Sequence, residues 1–347
     1  MKDRWLVIRP QQIPISWRVE RRVPIVLLVL VVATLAVMVF NVSIGEYSIP
    51  PLDVFKTILG LETDNTDYSF IVNTLRLPRV LIGSLVGMGF AVSGAILQCL
   101  TRNPLADPGI IGVNAGATLA AVVVIVLLPN APLFAIPISA FGGAIAITML
   151  IYLLAWEKGN STIYLILIGI GLNAIASALT TVIITFGEIN SVSQALIWIT
   201  GSVAGRSWEY LWPLLPWLLI FLPAAFLCSK DLNALILGED VARGLGSPID
   251  WQRGLLWSIA VALAAASVAT AGAIAFVGFI APHLARQFVG PSHEGLIPTA
   301  AAVGALMVVL ADLLGRALFA PTEIPCGIIT AIIGAPYFLY LLYQSDR

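Results

Sequence analysis

The chain has 347 residues, of which 59% are hydrophobic and only 11% are charged, and its mean hydropathy is +0.97. An ordinary soluble domain carries about 25% charged residues, so this composition excludes a soluble globular protein and indicates one that crosses a membrane many times. A net charge of -1 at pH 7 also argues against a nucleic-acid partner, because such a partner favours a basic surface.

Ten apolar runs are candidates for membrane-spanning helices, since one crossing takes about 20 mostly apolar residues. They are Ile25–Phe40, Val80–Leu100, Val113–Leu128, Phe134–Trp156, Ile163–Phe186, Tyr210–Cys228, Trp251–Ala271, Ile274–Phe288, Leu296–Leu318 and Cys326–Tyr343. The eighth run is short and contains Pro282, so we expect it to be tilted, broken or shielded by its neighbours. The predicted fold is an all-α polytopic membrane protein with about ten transmembrane helices.

The distribution of Lys and Arg predicts which way the chain is oriented, because cytoplasmic loops carry an excess of both. With ten spans both termini lie on one side, and placing that side inside leaves 13 of the 18 basic residues in the cytoplasm. The five outer basic residues are then Lys56, Arg76, Arg79, Arg206 and Arg316. We therefore predict that both termini are cytoplasmic and that the protein lies in the cell (inner or plasma) membrane.

The polar segments between the spans are too short to form a second domain. Residues 1–347 are predicted to form one transmembrane domain with a cytoplasmic lead at 1–24, an outer loop at 42–75 and a cytoplasmic segment at 229–250. The outer loop is the longest polar interruption, and it is shorter than the ~40 residues at which a domain folds without disulfides or a partner. Energy for any transport must therefore come from another protein.

Three arginines lie on the side where basic residues are disfavoured. Arg76 and Arg79 flank Pro78 in the segment LRLPR, and proline is favoured in the first turn of a helix. Arg79 is therefore predicted to lie near the start of the second span, where a cation opposes the helix dipole. Arg316 ends the ninth span, four residues after Asp312. These arginines either receive carboxylates of a docking protein or, for Arg316, pair with Asp312 along the helix.

The longest internal cytoplasmic segment contains a predicted short helix. It has acidic residues at its start, a cation near its end and glycines on both sides, and it consists of Gly238, Glu239, Asp240, Val241, Ala242, Arg243, Gly244, Leu245 and Gly246. Val241 and Leu245 share one face of such a helix. The segment is either an ordinary surface helix or an element that binds in a groove of a soluble partner.

A polar stripe follows the fifth predicted span, where Asn173, Ser177, Thr181 and Thr185 recur every four residues. These side chains either bond to their own helix or form one wall of a translocation path. Ser93 and Gln98 on the second span are predicted to face the same space. Apart from Asp312 and His283 near span ends, no carboxylate or histidine lies in the spans, and this pattern disfavours an ion-coupled secondary transporter.

The sequence predicts no catalytic or metal site. Cys99, Cys228 and Cys326 have no paired spacing and are interpreted as small buried hydrophobic residues. His283 is interpreted as a structural hydrogen-bonding residue, and together with His293 it forms no recognised metal pattern. An intramembrane enzyme is disfavoured because no nucleophile with a base and no paired carboxylates occur within the spans. No cofactor is expected.

Segments along nearly the whole chain resemble the FecCD family, the permease subunits of type II ABC importers for iron–siderophore complexes, haem and cobalamin. The resemblance is carried by LRLPRVLIG, GAILQCLTRNPLADPGIIGVNAGA, WITGSVAGRSW, LGEDVARGLG, GAIAFVGFIAPHLARQFVG and ADLLGRALFAPTEIPCGIITAIIGAPYF. It implies a ten-span subunit that pairs with a second permease subunit, either an identical chain or a paralogue. It further implies two cytoplasmic ATPase subunits and a substrate-binding protein on the outer face.

The resemblance also implies roles for particular residues. Arg76, Arg79 and Arg316 match the arginines that receive glutamates of the binding protein, and Gly238–Gly246 matches the helix that couples to the ATPase. Ser161 and Thr162 fall at the cytoplasmic gate, although Ile163 follows where a small polar residue is expected. The segments WITGSVAGRSW and LFAPTEIPCG are closer to the iron–siderophore members. The cargo expected from this is a ferric siderophore or ferric citrate, with haem or cobalamin as alternatives.

Overall fold

The computed structural model describes residues 5–8, 17–45, 47–63, 65–156, 162–244, 248–318 and 322–345. Two short antiparallel strands, β1 (Trp5–Ile8) and β2 (Trp17–Glu20), precede the helices. The helices are α1 (Arg22–Ser43), α2 (Pro51–Ile58), α3 (Asp67–Phe70), α4 (Leu77–Thr101), α5 (Val113–Val122), α6 (Ala135–Trp156), α7 (Thr162–Thr185), α8 (Ile189–Ile199), α9 (Trp208–Leu227), α10 (Ser229–Ile236), α11 (Glu239–Gly244), α12 (Ile249–Ala271), α13 (Val277–Val289), α14 (His293–Ala317) and α15 (Cys326–Ser345). The helical prediction is confirmed, with one strand pair added in the N-terminal lead.

Each of the ten predicted spans coincides with a helix. In the described part of the chain, eight helices are long and apolar enough to cross a membrane, namely α1, α4, α6, α7, α9, α12, α14 and α15. The third predicted span is a shorter apolar helix, Val113–Leu127, in which α5 continues as a π-helix. The eighth is α13, which has only 13 residues and contains Pro282, as its short apolar run predicted.

The centre of the bundle is α4, against which α12, α13 and α14 pack. Glycines allow two of these helices to approach α4 very closely. A Cβ added at Gly87 of α4 would overlap the backbone of Gly304 in α14, and one added at Gly94 would overlap that of Gly278 in α13. Small residues at such contacts bring helix backbones together, which increases dispersion contacts between helices in a membrane. This central group of helices therefore forms a tightly packed frame.

The segment 42–75, predicted to be an outer loop, contains two short helices, α2 and α3. A π-helix over Ile71–Arg76 then runs directly into α4. The helical stretch therefore begins at Asp67 and continues to Thr101. Pro78 has no N–H for the helix ladder, and the wide π-helical turn before it accommodates the carbonyl that would otherwise clash with its ring.

Candidate docking pocket and coupling segment

Four arginines surround one cavity at the end of the bundle that the charge distribution assigns to the outside. The cavity has a volume of about 260 Å³ and is lined by Gly45, Thr74, Leu75, Arg76, Arg79, Gly205, Arg206, Ser207, Arg316 and Glu323. The structure thus brings together the three arginines that the sequence singled out, from positions before and within α4 and at the end of α14. We call this cavity the arginine pocket.

Arg79 forms the charged centre of the arginine pocket and is itself only 8% exposed. Its guanidinium binds Asp312 of α14 through two nitrogens, with Nη2 to Oδ1 at 2.7 Å and Nε to Oδ2 at 3.0 Å. Its third nitrogen, Nη1, donates to Glu323 at 2.9 Å. Asp312 therefore pairs across helices with Arg79, and the alternative pairing with Arg316 on the same helix is not the one adopted.

Arg76 and Arg316 donate hydrogen bonds to carbonyl groups at the C-terminal end of α1. Arg76 donates from Nη1 to the Val42 carbonyl at 2.6 Å and from Nη2 to the Tyr47 carbonyl at 2.6 Å. Arg316 donates from Nη2 to the carbonyls of Asn41 and Ile44. The last carbonyls of a helix lack partners within the helix and carry its negative dipole end, so two guanidinium groups stabilise this terminus.

The helix-dipole argument for Arg79 is corrected by the structure. The helical stretch starts at Asp67, so Arg79 lies well inside it rather than at its positive end. The dipole of α4 therefore exerts little penalty on this cation. What holds Arg79 in place is its two carboxylate partners, which lie 233 and 244 positions away along the chain.

Arg206 is the member of the arginine pocket that sequence reasoning did not select. It lies in the loop between α8 and α9, and its guanidinium carbon is 4.5 Å from the centre of the Tyr210 ring. Burial lowers the pKa of Arg206, and the neighbouring Tyr210 acts in the opposite direction. The sequence did offer one indication of Arg206, because it is one of the five basic residues predicted to lie on the outer side.

The predicted cytoplasmic segment forms two short helices, α10 and α11. Gly238 separates them with φ at +111°, a backbone conformation that glycine adopts readily and other residues rarely do. Within α11, Val241 is 50% exposed while Ala242 is fully buried. The backbone thus contains the predicted short helix, whereas Leu245 and Gly246 lie outside the described residues, as do the side chains of Glu239 and Asp240.

Arg243 is held near the following helix. Its Nη2 lies 3.9 Å from Oδ1 of Asp250 in α12, and both side chains are largely exposed. An exposed pair at this distance contributes little to stability, so it leaves α11 free to move relative to α12.

Asn233 of α10 connects the cytoplasmic segment to the start of α14. Its Oδ1 accepts a hydrogen bond from the backbone N–H of His293 at 2.9 Å, and its Nδ2 donates to Glu294 at 2.6 Å. His293 is the first residue of α14 and is fully buried. The opposite end of α14 contributes Asp312 and Arg316 to the arginine pocket, so one rigid element contacts both candidate sites.

The polar stripe lies on α7, and its last three members are exposed. Thr181 and Thr185 each donate to the carbonyl four residues earlier, at 2.9 and 2.8 Å. Asn173 instead donates to the Gly109 carbonyl at 3.2 Å, in the loop between α4 and α5. Two of the hydroxyls are therefore satisfied within their own helix while the stripe still presents a mildly polar surface.

Ser93 and Gln98 do not share the space of the α7 stripe. Ser93 is fully buried and donates to the Ala260 carbonyl of α12 at 2.7 Å. Gln98 is 3% exposed, and its Nε2 donates to the Phe279 carbonyl of α13 at 3.2 Å. These polar groups bond α4 to its packing partners, because each replaces water with a backbone carbonyl inside the bundle. Gln98 therefore forms a hydrogen bond that joins α4 to α13.

The remaining predicted residues are placed as follows. Ser161 lies outside the described residues, and Thr162 is described only as the first residue of α7. Cys99 and Cys326 are buried free thiols, as predicted, and Cys228 is a partly buried one. Across the described ranges, no three His, Cys, Asp or Glu side chains come together as a metal site would require. His283 contacts Gln287 at 3.0 Å and the Tyr337 ring.

Taken together, the eight long apolar helices and the helices packed among them define a multi-pass membrane protein. The chain belongs to the FecCD transport family, whose family model matches residues 28–344. It is 42% identical to the probable siderophore transport system permease protein YfhA of Bacillus subtilis over 94% of this chain and 96% of the relative. It is also 42% identical to the iron(3+)-hydroxamate import system permease protein FhuG of the same organism, over 90% of this chain and 95% of the relative.

A solved structure supports the same assignment. An inward-facing conformation of a metal-chelate type ABC transporter superposes with a TM-score of 0.83 at 32% sequence identity, covering 92% of this chain and 99% of the other. The Fe(3+) dicitrate transport system permease protein FecD of Escherichia coli is 38% identical over 80% of this chain and 86% of the relative. The resemblance to the FecCD family and the helical fold are thus confirmed, and the role of the chain is transport rather than catalysis.

Proposed function

We propose that this chain is the membrane-spanning subunit of an ATP-driven importer that translocates a ferric siderophore or ferric citrate. The observation that carries the proposal is its 38–42% identity, over most of the chain, to permeases named for siderophore, iron(3+)-hydroxamate and ferric citrate transport. Haem and cobalamin are disfavoured as cargo because none of these relatives is named for either. An ion-coupled carrier is disfavoured because, in the eight long helices of the described residues, Asp and Glu lie near the helix ends and not in the middle.

The arginine pocket is proposed as the docking site for an outer substrate-binding protein. Arg76, Arg79 and Arg316 line the cavity together with Arg206, and among the described residues the carboxylates paired with these four arginines are those of Asp312 and Glu323. The surplus of positive charge suits acidic side chains of a partner, and bidentate pairing with arginine orients the contact. The permeation step proposed is alternating access after the binding protein has released its cargo.

The inner end of the bundle is proposed as the site that receives the ATPase. The segment Gly238–Gly246 contains α11, which presents Val241 outwards and is hinged at Gly238. We propose that this helix binds in a groove of a separate ATPase subunit, and that hydrolysis of ATP there moves α10 and α11. Since Asn233 bonds α10 to α14, this movement reaches the central helices.

The cargo path is proposed to run along α7. Asn173, Ser177, Thr181 and Thr185 form one wall, and a second permease subunit, identical or paralogous, supplies the facing wall. The exposed apolar side chains on α7, such as Ile175 at 57% and Val182 at 54%, are available to the second subunit and to lipid. Ser161 and Thr162, which precede and begin α7, are proposed as the cytoplasmic gate.

Stimulation of ATP hydrolysis tests this proposal. The permease is reconstituted with its ATPase, and the binding protein is added empty, loaded with a ferric chelate, or loaded with cobalamin. We expect hydrolysis to rise with the loaded binding protein and to rise most with the ferric chelate. Failure of the ATPase to assemble on the permease would contradict the coupling role of α11, and preference for cobalamin would contradict the cargo.

A further inference from the structure

Two neighbouring cavities lie between the beginnings of α6 and α9. One has a volume of about 200 Å³ and the other of about 190 Å³. Both are lined by Leu133, Pro137 and Tyr210, so they are parts of one continuous groove, which we call the α6–α9 groove. Arg206 lines the second cavity and also the arginine pocket, so the groove extends to the wall of that pocket.

The α6–α9 groove lies at the level where lipid headgroups meet the acyl chains. The residues that α6 and α9 contribute to it lie in or close to the first turns of these two spans. Tyr210 and Trp212 of α9 lie at the same level, and Tyr and Trp are enriched where a membrane meets water. Phe134 and Ile138 of the lining are 67% and 64% exposed, so the groove presents an open apolar surface to lipid.

The groove contains one cation and one anion. Arg206 lines one of its cavities, and Glu209, in the first turn of α9, lines the other. Among the described residues, neither side chain forms an ion pair with the other or with a third residue. The guanidinium of Arg206 lies against the Tyr210 ring, with its central carbon 4.5 Å from the ring centre. Both charges are therefore available to a ligand that itself carries a negative and a positive group.

The start of α9 favours a phosphate beside Arg206. Ser207 immediately precedes this helix, and its side chain makes no capping hydrogen bond. The first N–H groups of a helix have no partners within the helix, and they carry the positive end of its dipole. A phosphate at this position accepts hydrogen bonds from such N–H groups and from a guanidinium, which binds phosphate oxygens through two nitrogens.

The positions of the two charges distinguish between lipid headgroups. Phosphatidylethanolamine has a phosphate for Arg206 and a primary ammonium that can donate hydrogen bonds to the Glu209 carboxylate. The choline headgroup is cationic but has no N–H to donate, and the glycerol headgroup has no positive charge. The groove therefore complements phosphatidylethanolamine better than phosphatidylcholine or phosphatidylglycerol.

We propose that the α6–α9 groove binds one phosphatidylethanolamine molecule. Its phosphate lies on Arg206 and the start of α9, its ammonium on Glu209, and an acyl chain along Phe134 and Ile138. This inference goes beyond the proposed function, because it depends neither on the cargo nor on ATP. Since Arg206 also lines the arginine pocket, the bound lipid fixes the position of one of the four cations of that pocket.

Native mass spectrometry of the full-length permease tests this proposal. The detergent-solubilised protein is titrated with phosphatidylethanolamine, phosphatidylcholine and phosphatidylglycerol that carry identical acyl chains. We expect the first lipid to bind the wild type with a Kd for phosphatidylethanolamine about five- to tenfold below the values for the other two.

Four variants and the wild type locate the lipid. Arg206→Gln is expected to raise the Kd for all three lipids by about 10-fold, because each has a phosphate, and Lys56→Gln is the control for an outer cation outside the groove. Glu209→Gln is expected to abolish the preference for phosphatidylethanolamine over phosphatidylcholine. Ile138→Trp fills the groove and should weaken binding of all three lipids. Its control is Leu153→Trp, a similarly exposed position near the other end of α6.

Each outcome supports or overturns one part of the proposal. Equal binding of the three lipids to the wild type, or an intact preference in Glu209→Gln, overturns the choice of headgroup. Wild-type affinity in Arg206→Gln or Ile138→Trp places the lipid elsewhere and overturns the site. If Ile138→Trp separates two permease subunits and leaves lipid binding intact, the groove is a subunit interface instead. Should Arg206→Gln not fold, Glu209→Gln and Ile138→Trp, which change exposed positions, decide.

Discussion

At the scale of single residues, the two carboxylates that bind Arg79 differ sharply in their surroundings. The Asp312 side chain is 4% exposed and the Glu323 side chain is 40% exposed. Removing one partner of a buried pair leaves an uncompensated charge, which costs several kcal/mol, whereas an exposed pair is worth little. The same arginine therefore takes part in one strong and one weak interaction.

We predict that Asp312→Ala lowers the free energy of unfolding by about 3 kcal/mol. Glu323→Ala is the matched control, because it removes the other carboxylate from the same arginine, and it is expected to cost less than about 1 kcal/mol. Thermal unfolding of the detergent-solubilised protein compares the two variants. Equal destabilisation by the two variants would show that burial of the carboxylate does not determine how much its ion pair with Arg79 contributes to the free energy of unfolding.

The sequence predicts that these arginines lie at the outer end, because the orientation that places most basic residues in the cytoplasm leaves these arginines on the opposite side. It does not predict their partners. Asp312 is four residues from Arg316, and helix spacing therefore suggests that pair, but Asp312 binds Arg79 of another helix instead. Contacts across helices depend on how α4 and α14 are rotated against each other, which no local pattern in one sequence specifies.

At the scale of helices, two adjacent glycines in α6 allow a direct test of close packing. A Cβ at Gly143 would overlap the carbonyl oxygen of Gly116 and the side chain of Ala120 in α5, whereas a Cβ at Gly142 has nothing within 4 Å. We predict that Gly143→Ala destabilises the protein by about 1–3 kcal/mol and that Gly142→Ala is neutral. Thermal unfolding in one detergent measures both. A neutral Gly143→Ala would contradict the close approach of α5 and α6.

A second prediction concerns the bond between α10 and α14. Asn233→Ala removes the side chain that accepts from His293 and donates to Glu294, so movement of α10 should no longer be passed on fully to α14. We expect less cargo transported per ATP hydrolysed, with hydrolysis itself retained. The control is Lys230→Ala, an exposed residue of the same helix. An unchanged ratio of transport to hydrolysis in Asn233→Ala would argue against this connection.

The long apolar helices are predictable from the sequence because about 20 apolar residues are needed for each crossing and few other structures use such runs. The shorter elements were missed for the opposite reason. The helix α8 has 11 residues, and the π-helical segment before α4 is interrupted by arginine, so neither gives a strong apolar signal. The sequence did contain one indication of α8: Ala195 and Trp198, both buried, are three residues apart and therefore share one face of a helix.

At the scale of the whole molecule, the prediction with the widest consequences is the orientation in the membrane. It places Lys56 of α2 outside and Lys230 of α10 inside, at opposite ends of the bundle. We expect Lys56→Cys to react with a membrane-impermeant maleimide in intact cells, and Lys230→Cys to react only after permeabilisation. Both variants are made with Cys228→Ser, because Cys228 is only partly buried; the other native cysteines, Cys99 and Cys326, are buried, so their background reaction should be small. The reverse labelling pattern would invert the proposed roles of the two ends.

The arrangement of the two candidate sites explains why one chain can connect an outer event with an inner one. The helix α14 begins beside the cytoplasmic segment at His293 and ends in the arginine pocket at Arg316. It packs along α4 through the close contact of Gly87 with Gly304, so the two helices form one stiff unit. A movement of either end of α14 is therefore expected to displace the other end as well.

Uptake of radioactive iron into proteoliposomes tests the central claim most directly. The permease, its ATPase and ATP are enclosed or supplied on the ATPase side, and the loaded ferric-chelate-binding protein is supplied on the other. The account predicts uptake that requires ATP and the binding protein together and that does not respond to an imposed ion gradient. Uptake driven by an ion gradient without ATP would contradict it.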